Sequence, residues 1–579
     1  MTREPGSIQG PPLARGLVIA WISVSAVLML LSLYREADFG GPVEYFLWVQ
    51  DFPVLLALTA LFVGMLFAPP MEQARFARTI LERPLACTLI LALFVFALSW
   101  SGRSSVFGDF AFSRDEDLAL YQAKLILHGQ LSMQVPPDWR GAALALQPVF
   151  VLVLPGDAAW LSSYLPVNSA LHAAGLALGA EALVSPLLAA VAVVATYGVG
   201  RRLWPDKPAS ALLAAAFLAT SSQLVVTAMT AYAMTAHLAL NMVWLWLFLR
   251  GGRLGHLGAI AVGVLAVGLH QFIFHPLFVA PFVLQLWLDR RWRLAAGYML
   301  AYAVICLCWI FYWNWATALA GATAQTVETT GSSRVLRDIA GLLSLAKLEG
   351  VPMVAKHLVR FMTWQNPLAV ALLALGLAPA LRAGAYMRAL ALGILLTVVA
   401  VSMLIPSQTH GWGYRYLHGF LGSACLIAAF TWDAVARRDP GRAGMILATA
   451  FAAGLLLLPV RAGQAKEYVA PYRAAYARIA STPADVVLVE GEGIEQGVAM
   501  VRNDPWLSQR PLTLYRRDLQ TAEIPKICRR FVVGVFQASD AARQGIVTLR
   551  EPAAARAARE ARVLADLRAQ GCRIVSISR

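Results

Sequence analysis

The string FSRDEDLALYQAKLILHGQLS places Arg114, Asp115, Glu116 and Asp117 directly before a segment whose apolar residues recur at three and four residue spacing. Carboxylates at the start of a helix have a structural use: Asp115 can cap it, and the helix dipole favours Glu116 and Asp117 in the first turn. They also have a chemical use, as a general base toward an acceptor hydroxyl or as ligands to a divalent metal ion. Arg415, in SQTHGWGYRYLHG, is the second such residue. An arginine at a membrane interface is costly unless paired, and a lipid phosphate suits its forked donor set. Its structural alternative is an anchor within the aromatic group Trp412, Tyr414 and Tyr416. His410 and His418 flank it and can donate to the same phosphate, or serve packing alone. His270 and His275 in HQFIFHP have no carboxylate beside them, and Pro276 breaks the local helix, so polar packing or substrate hydrogen bonding fits them better than a metal. Lys356 and Arg360, four residues apart, fall on one helical face and can clamp a phosphate. Arg334, Arg337, Lys347 and His357 in the same stretch suit solvent or lipid headgroups.

The elements that must position these residues are apolar spans. Of 579 residues, 59% are hydrophobic and 14% charged, a balance that places the bulk of the chain in lipid. The formal charge of +15 does not mark a nucleic-acid partner, because the Lys and Arg residues sit in short clusters between apolar runs. Apolar windows lie near 16–33, 52–69, 85–101, 182–200, 209–225, 233–250, 254–271, 274–289, 294–313, 366–381, 387–405, 417–436 and 444–460. They give an expectation of about thirteen transmembrane helices. Arg75, Arg78 and Arg83, Arg201, Arg202 and Lys207, Arg250 and Arg253, Arg290, Arg291 and Arg293, Arg382 and Arg388, and Arg437, Arg438 and Arg442 fall on alternate connections, which are therefore read as cytoplasmic. The N-terminus is then cytoplasmic, and the long stretches 102–181, 314–365 and 461–579 lie outside. The first two contain amphipathic segments, EDLALYQAKLILHG and VAKHLVRFMTW, which suit helices lying in the interface.

The stretch from 461 holds the β-like runs VVLVEG, RRFVVGVF and CRIVSIS and a helical run at 552–569, which predicts a small α/β domain. Its glycines do not have P-loop spacing. Cys528 and Cys572 fall within it and can form a disulfide in an oxidising compartment; Cys87, Cys306, Cys308 and Cys425 sit in apolar runs and read as small apolar residues. The expected organisation is an N-terminal two-span extension (1–84), a transmembrane core (85–460) and the α/β domain (461–579).

The string from Asp115 and Glu116 through Tyr121, Ala123 and Gly129 resembles the first outer loop of the GT-C glycosyltransferases, in particular the protein O-mannosyltransferase and lipid A aminoarabinose transferase branch. The span, Arg-Arg-Leu turn and Ala-rich span over 178–222 is similar to that branch, and Arg415, Tyr416 and Leu417 resemble its Arg-Tyr-Leu at the outer end of a late span. Two departures stand out: two spans precede the one that opens the family's core, and the Lys-Pro-Pro-Leu type string is missing after Gly129. The resemblance implies an all-α polytopic enzyme of a plasma (inner) membrane. It would move a hexose or pentose from a polyprenyl-phosphate donor to a glycan, lipid or protein hydroxyl on the outer face. It makes Asp115 the first choice of base, with Glu116 second. From the residues themselves, Arg415, Lys356 and Arg360 are the expected donor phosphate contacts, and Tyr121, His270, His275, His410, Tyr416 and His418 are possible substrate contacts. A divalent metal ion is an open cofactor. The rival readings are a flippase of lipid-linked saccharides, against which stand the absence of an internal repeat and the scarcity of charges within spans, and a non-catalytic envelope assembly protein.

Overall fold

The structure is a computed structural model that describes residues 13–34, 41–67, 82–154, 156, 158–321, 350–548 and 551–577. Arg334, Arg337 and Lys347 lie outside the described residues.

A helix stands at each apolar window. Eight helical segments are long and apolar enough to cross a membrane, and four further apolar helices are shorter: Pro208–Ala219, Gly252–Val267, Phe274–Leu288 and Pro367–Arg382. The chain is a multi-pass membrane protein. The window at 209–225 divides because Ser221 accepts a hydrogen bond from the Leu224 N–H and caps a new short helix, Ser222–Thr227. The last window belongs to one helix of 42 residues, Pro440–Ser481. At 1.5 Å per residue it is about twice as long as the hydrocarbon layer is thick, so its second half carries the chain out of the bundle. The boundary expected at 460 therefore falls inside a continuous helix.

Lys207 pairs with Asp433 at 2.6 Å at one end of the bundle, while the connections around Tyr232, His270 and Arg415 meet at the other.

The helix over Gly350–Thr363 corrects an expectation. It is buried along most of its length instead of lying in the interface. Its charges meet partners from the second span, Pro42–Phe67: Lys356 pairs with Glu44, and Arg360 with Asp51 at 2.9 Å. Arg461 of the long helix completes the cluster at 3.1 Å from Asp51. Amphipathic spacing shows that a helix has a polar face, and it cannot show that another span brings carboxylates to that face.

Outside the bundle, residues 102–181 form the helix Arg114–Leu127, a three-stranded antiparallel sheet of β1 (Ser132–Gln134), β2 (Val151–Val153) and β3 (Ala159–Ser162) in the order β1-β3-β2, and the helix Val167–Ala177. The C-terminal sheet is fully parallel, ordered β5-β4-β6-β7, from β4 (Val486–Val489), β5 (Leu512–Tyr515), β6 (Val532–Phe536) and β7 (Arg573–Val575). The helix Ala553–Ala569 supplies the last crossover, and a disulfide joins Cys528 to Cys572. These two regions are not separate. Leu118, Tyr121, Leu125 and Trp139 of the outer loop share one apolar cluster with Val486, Leu488, Leu512 and Leu514.

Candidate active site

Ser113, not Asp115, caps the Arg114–Leu127 helix. Its hydroxyl accepts from the Glu116 N–H at 3.3 Å, and the Glu116 carboxylate accepts from the Ser113 N–H at 2.8 Å. This reciprocal pair is a capping box, and it occupies Glu116. The Ser-x-x-Glu spacing was readable in the sequence. The box leaves Asp115 free of any capping duty, at the open end of the helix, facing the loop that carries Arg415.

Both Asp115 oxygens are engaged there. Tyr164 donates its hydroxyl proton to Oδ1 at 2.5 Å, and Arg415 Nη1 donates to Oδ2 at 2.5 Å. Arg415 is itself held by Gln408: its backbone N–H donates to Gln408 Oε1 and its Nη2 to the Gln408 carbonyl, each at 2.7 Å. The Gln408 N–H donates in turn to His357 Nε2 at 3.2 Å, and Arg360 Nε donates to the Gly411 carbonyl at 2.9 Å. The guanidinium of Arg415 lies 5.2 Å from the centre of the Tyr232 ring. The His270 ring packs 3.9 Å from that of Tyr164, with neither nitrogen bonded among the described residues.

Burial pushes the Asp115 carboxyl up, but the Arg415 charge, His270 and the Tyr164 hydroxyl together hold it below the ordinary range. Asp115 is therefore ionised at neutral pH. Burial also pulls His270 down to about 4, against the nearby Asp115 charge, so its imidazole is neutral. Glu116 behaves in the opposite way: burial raises it to about 7 in spite of the Ser113 hydrogen bonds.

Two small cavities flank the ion pair. Arg415 and Tyr416 line one with His237, Asn241, Phe274 and Phe420. Asp115 lines the other with Gln122, Tyr164, Asn168, Tyr232 and His270. Each has a volume of about 10 Å³, room for one water-sized group, so a larger ligand has to displace part of the lining.

The structure thus brings together Asp115, Arg415, His270 and Tyr416. It places the other sequence candidates elsewhere. His275 is fully bonded, to Asn241 at 2.7 Å and Tyr302 at 2.8 Å, as a packing histidine. His410 bonds the Tyr232 hydroxyl at 3.1 Å within an aromatic cluster, and His418 meets Gln223 at 3.4 Å. Lys356 and Arg360 are held by Glu44 and Asp51. Tyr121 lies on another face of its helix from Asp115. Tyr164, Tyr232 and Gln408 were not singled out from the sequence, since no motif ties them to Asp115 or Arg415.

Among the described residues no group of three or more His, Cys, Asp or Glu side chains could hold a metal ion. The chemistry at Asp115 agrees: its oxygens face a guanidinium and a phenol, both donors, which fill the place a cation would take.

No protein-family model and no curated protein matches the chain. Among solved structures it is similar to that of ArnT from Cupriavidus metallidurans in the apo state, with a TM-score of 0.43 and 13% identity over 71% of this chain and 89% of that one. It is also similar to ArnT from Cupriavidus metallidurans bound to undecaprenyl phosphate, with a TM-score of 0.48 and 12% identity over 82% and 88% of the two chains. A third likeness is to the Archaeoglobus fulgidus oligosaccharyltransferase in complex with zinc and sulfate, with a TM-score of 0.40 and 14% identity over 68% of this chain and 55% of that one. Similarity at this distance leaves the function to be argued from the chain's own residues.

Proposed function

We propose that this protein is a membrane glycosyltransferase that moves a sugar from a polyprenyl-phosphate donor to a hydroxyl acceptor at the outer face of a plasma membrane. The observation that carries the reading is the Asp115–Arg415 ion pair, set between two cavities with Tyr164 and His270 beside it. Arg415 binds the donor phosphate. As it turns to that phosphate it releases one oxygen of Asp115, which takes the proton of the acceptor hydroxyl. The acceptor oxygen bonds to the anomeric carbon from the face opposite the phosphate, and the bond from that carbon to the phosphate oxygen breaks. The electron pair leaves on a phosphate monoester. Arg415 stabilises the charge that develops there, in a site shielded from water where such an interaction is strong. The configuration at the anomeric carbon inverts. The pairing of Cys528 with Cys572 supports an oxidising outer compartment for the C-terminal domain.

The test uses purified protein in lipid with radiolabelled polyprenyl-phosphate hexoses and pentoses and an envelope extract containing glycan, lipid and protein acceptors. Label is expected to move with the wild type, and to fall at least a thousandfold with Asp115→Asn while expression and folding persist. Full activity in that variant removes Asp115 as the base. Transfer from no donor by intact protein removes the glycosyltransfer reading and favours a transporter.

A further inference from the structure

Two consecutive residues beside the site hold a backbone conformation that their side chains oppose. Val149 (φ 59°) and Phe150 (φ 61°) both lie in the left-handed region, where the Cβ atom crowds the following carbonyl and where a β-branched residue is a rare exception. Burial does not offset the strain, since Val149 is 40% exposed and Phe150 41%. Such a conformation persists only where the surrounding bonds fix it, and it gathers at functional sites.

Here those bonds form a closed frame around Asp115. On one side Arg114 Nη2 donates to Gln147 Oε1 at 3.0 Å, and Arg114 Nε to the Pro148 carbonyl at 3.3 Å. On the other the Ser163 N–H donates to the Phe150 carbonyl at 2.9 Å, which continues the pairing of β2 with β3. Tyr164, the next residue, closes the frame by donating to Asp115, the neighbour of Arg114. Val149 and Phe150 make the turn between the two anchored stretches. The turn sets the Phe150 ring 5.1 Å from that of Tyr164, within the range of a favourable aromatic pair.

We propose that Phe150 is a positioning residue: the strained turn holds its ring against Tyr164 and thereby keeps the phenol hydroxyl on Asp115. Tyr164 is only partly buried, so a ring free to turn could exchange the carboxylate for water. The orientation matters most when Arg415 leaves Asp115 for the donor phosphate, because the Tyr164 hydrogen bond is then the one that still aims the carboxylate. That consequence for transfer rests on the proposed glycosyltransfer, whereas the hold of Phe150 on Tyr164 does not.

The test uses the purified full chain in nanodiscs with 3-fluorotyrosine in place of Tyr164, and follows its fluorine resonance against pH. The charged and titratable groups that face the phenol are Asp115, Arg415, Tyr416 and His270, and the first of these, together with burial, holds it well above the ordinary range. Phe150→Ala is expected to lower the pH at which the phenol ionises by about one pH unit, because the bond to Asp115 is lost. In an Asp115→Asn background the same substitution is expected to do much less. No shift in the first case, or an equal shift in the second, which reports lost burial alone, overturns the proposal. In transfer assays Phe150→Ala is expected to lower kcat about tenfold with little change in the acceptor KM, and to add nothing when Tyr164 is already Phe. Phe150→Tyr should restore the rate, and Phe150→Leu, which keeps an apolar contact with lipid, should not. Losses that add in full, or rescue by Leu, overturn the positioning role. Val149→Asn is expected to raise the thermal midpoint, because asparagine tolerates the left-handed region; a lowered midpoint contradicts the strain. The expected fluorine shifts without transfer from any donor remove only the glycosyltransfer reading, and Asp115-dependent transfer without those shifts removes only the role of Phe150.

Discussion

As the proposed base, Asp115 depends on neighbours that keep it charged, and the same neighbours limit its freedom. Tyr164 donates to the carboxylate, and hydrogen bonds to charged groups contribute about 1.5 to 3 kcal/mol. Tyr164→Phe is expected to lower transfer about tenfold and to move the acid limb of the pH–rate profile to higher pH, because a bond that favours the charged form has gone. A profile with an unmoved acid limb would show that Tyr164 does not set the charge of Asp115. Glu116 gives a second prediction, about stability. Its folded-state value is raised from 4.5 to about 7, so its contribution is fully present below about pH 4.5 and is lost as pH rises through 7. Glu116→Gln keeps a side chain that can accept from the Ser113 N–H but does not titrate. Thermal midpoints measured from pH 4.5 to 8 should fall in the wild type and fall less in the variant; parallel curves would contradict this.

At the scale of elements, the second span acts on the loop that carries Arg415 through buried charge. Asp51 accepts from Arg360, Arg461, Thr363 and Trp364, and Arg360 holds the carbonyl of Gly411 in the loop that carries Arg415. The second span is thus wired to the loop that carries Arg415. Removing one partner of a buried ion pair leaves an uncompensated charge and costs about 3 to 5 kcal/mol. Asp51→Asn should therefore lower the thermal midpoint in detergent clearly, and should weaken binding of the proposed polyprenyl-phosphate donor as Arg415 loses its fixed position. A variant as stable as the wild type would mean that the cluster is neutral to stability.

Over the whole molecule, the outer loop and the C-terminal sheet form one folding unit above the bundle. Arg114 donates to the Val501 carbonyl at 2.9 Å and to Gln147 at 3.0 Å, and Asn503 donates to the Leu146 carbonyl at 2.8 Å. Ending the chain after Ser481 would expose Leu118, Tyr121, Leu125 and Trp139 to water. Their burial contributes roughly 1.5 to 3 kcal/mol each. The truncated protein should elute from size exclusion as aggregate and show no transfer; a monodisperse, active truncation would show that the C-terminal domain is dispensable.

What the sequence determined by itself was whatever rests on local pattern. Long apolar runs must become helices in lipid, because an unpaired backbone group there is too costly, and each window carries one. Asp115 and Arg415 stood out because a charge beside a membrane needs a reason. The four-residue strand Leu512–Tyr515 escaped notice because its short run is no more apolar than many loops. The partners were decided only by the tertiary structure. Lys356 and Arg360 had the spacing of a phosphate clamp, yet their charge is answered by Glu44 and Asp51 from a span some three hundred residues earlier. Tyr164 and Gln408 complete the site from loops that have no motif in common with it. Local periodicity states which face of an element is polar; only the packing of distant elements states what that face meets, and hence whether a charge is spent on structure or left for chemistry.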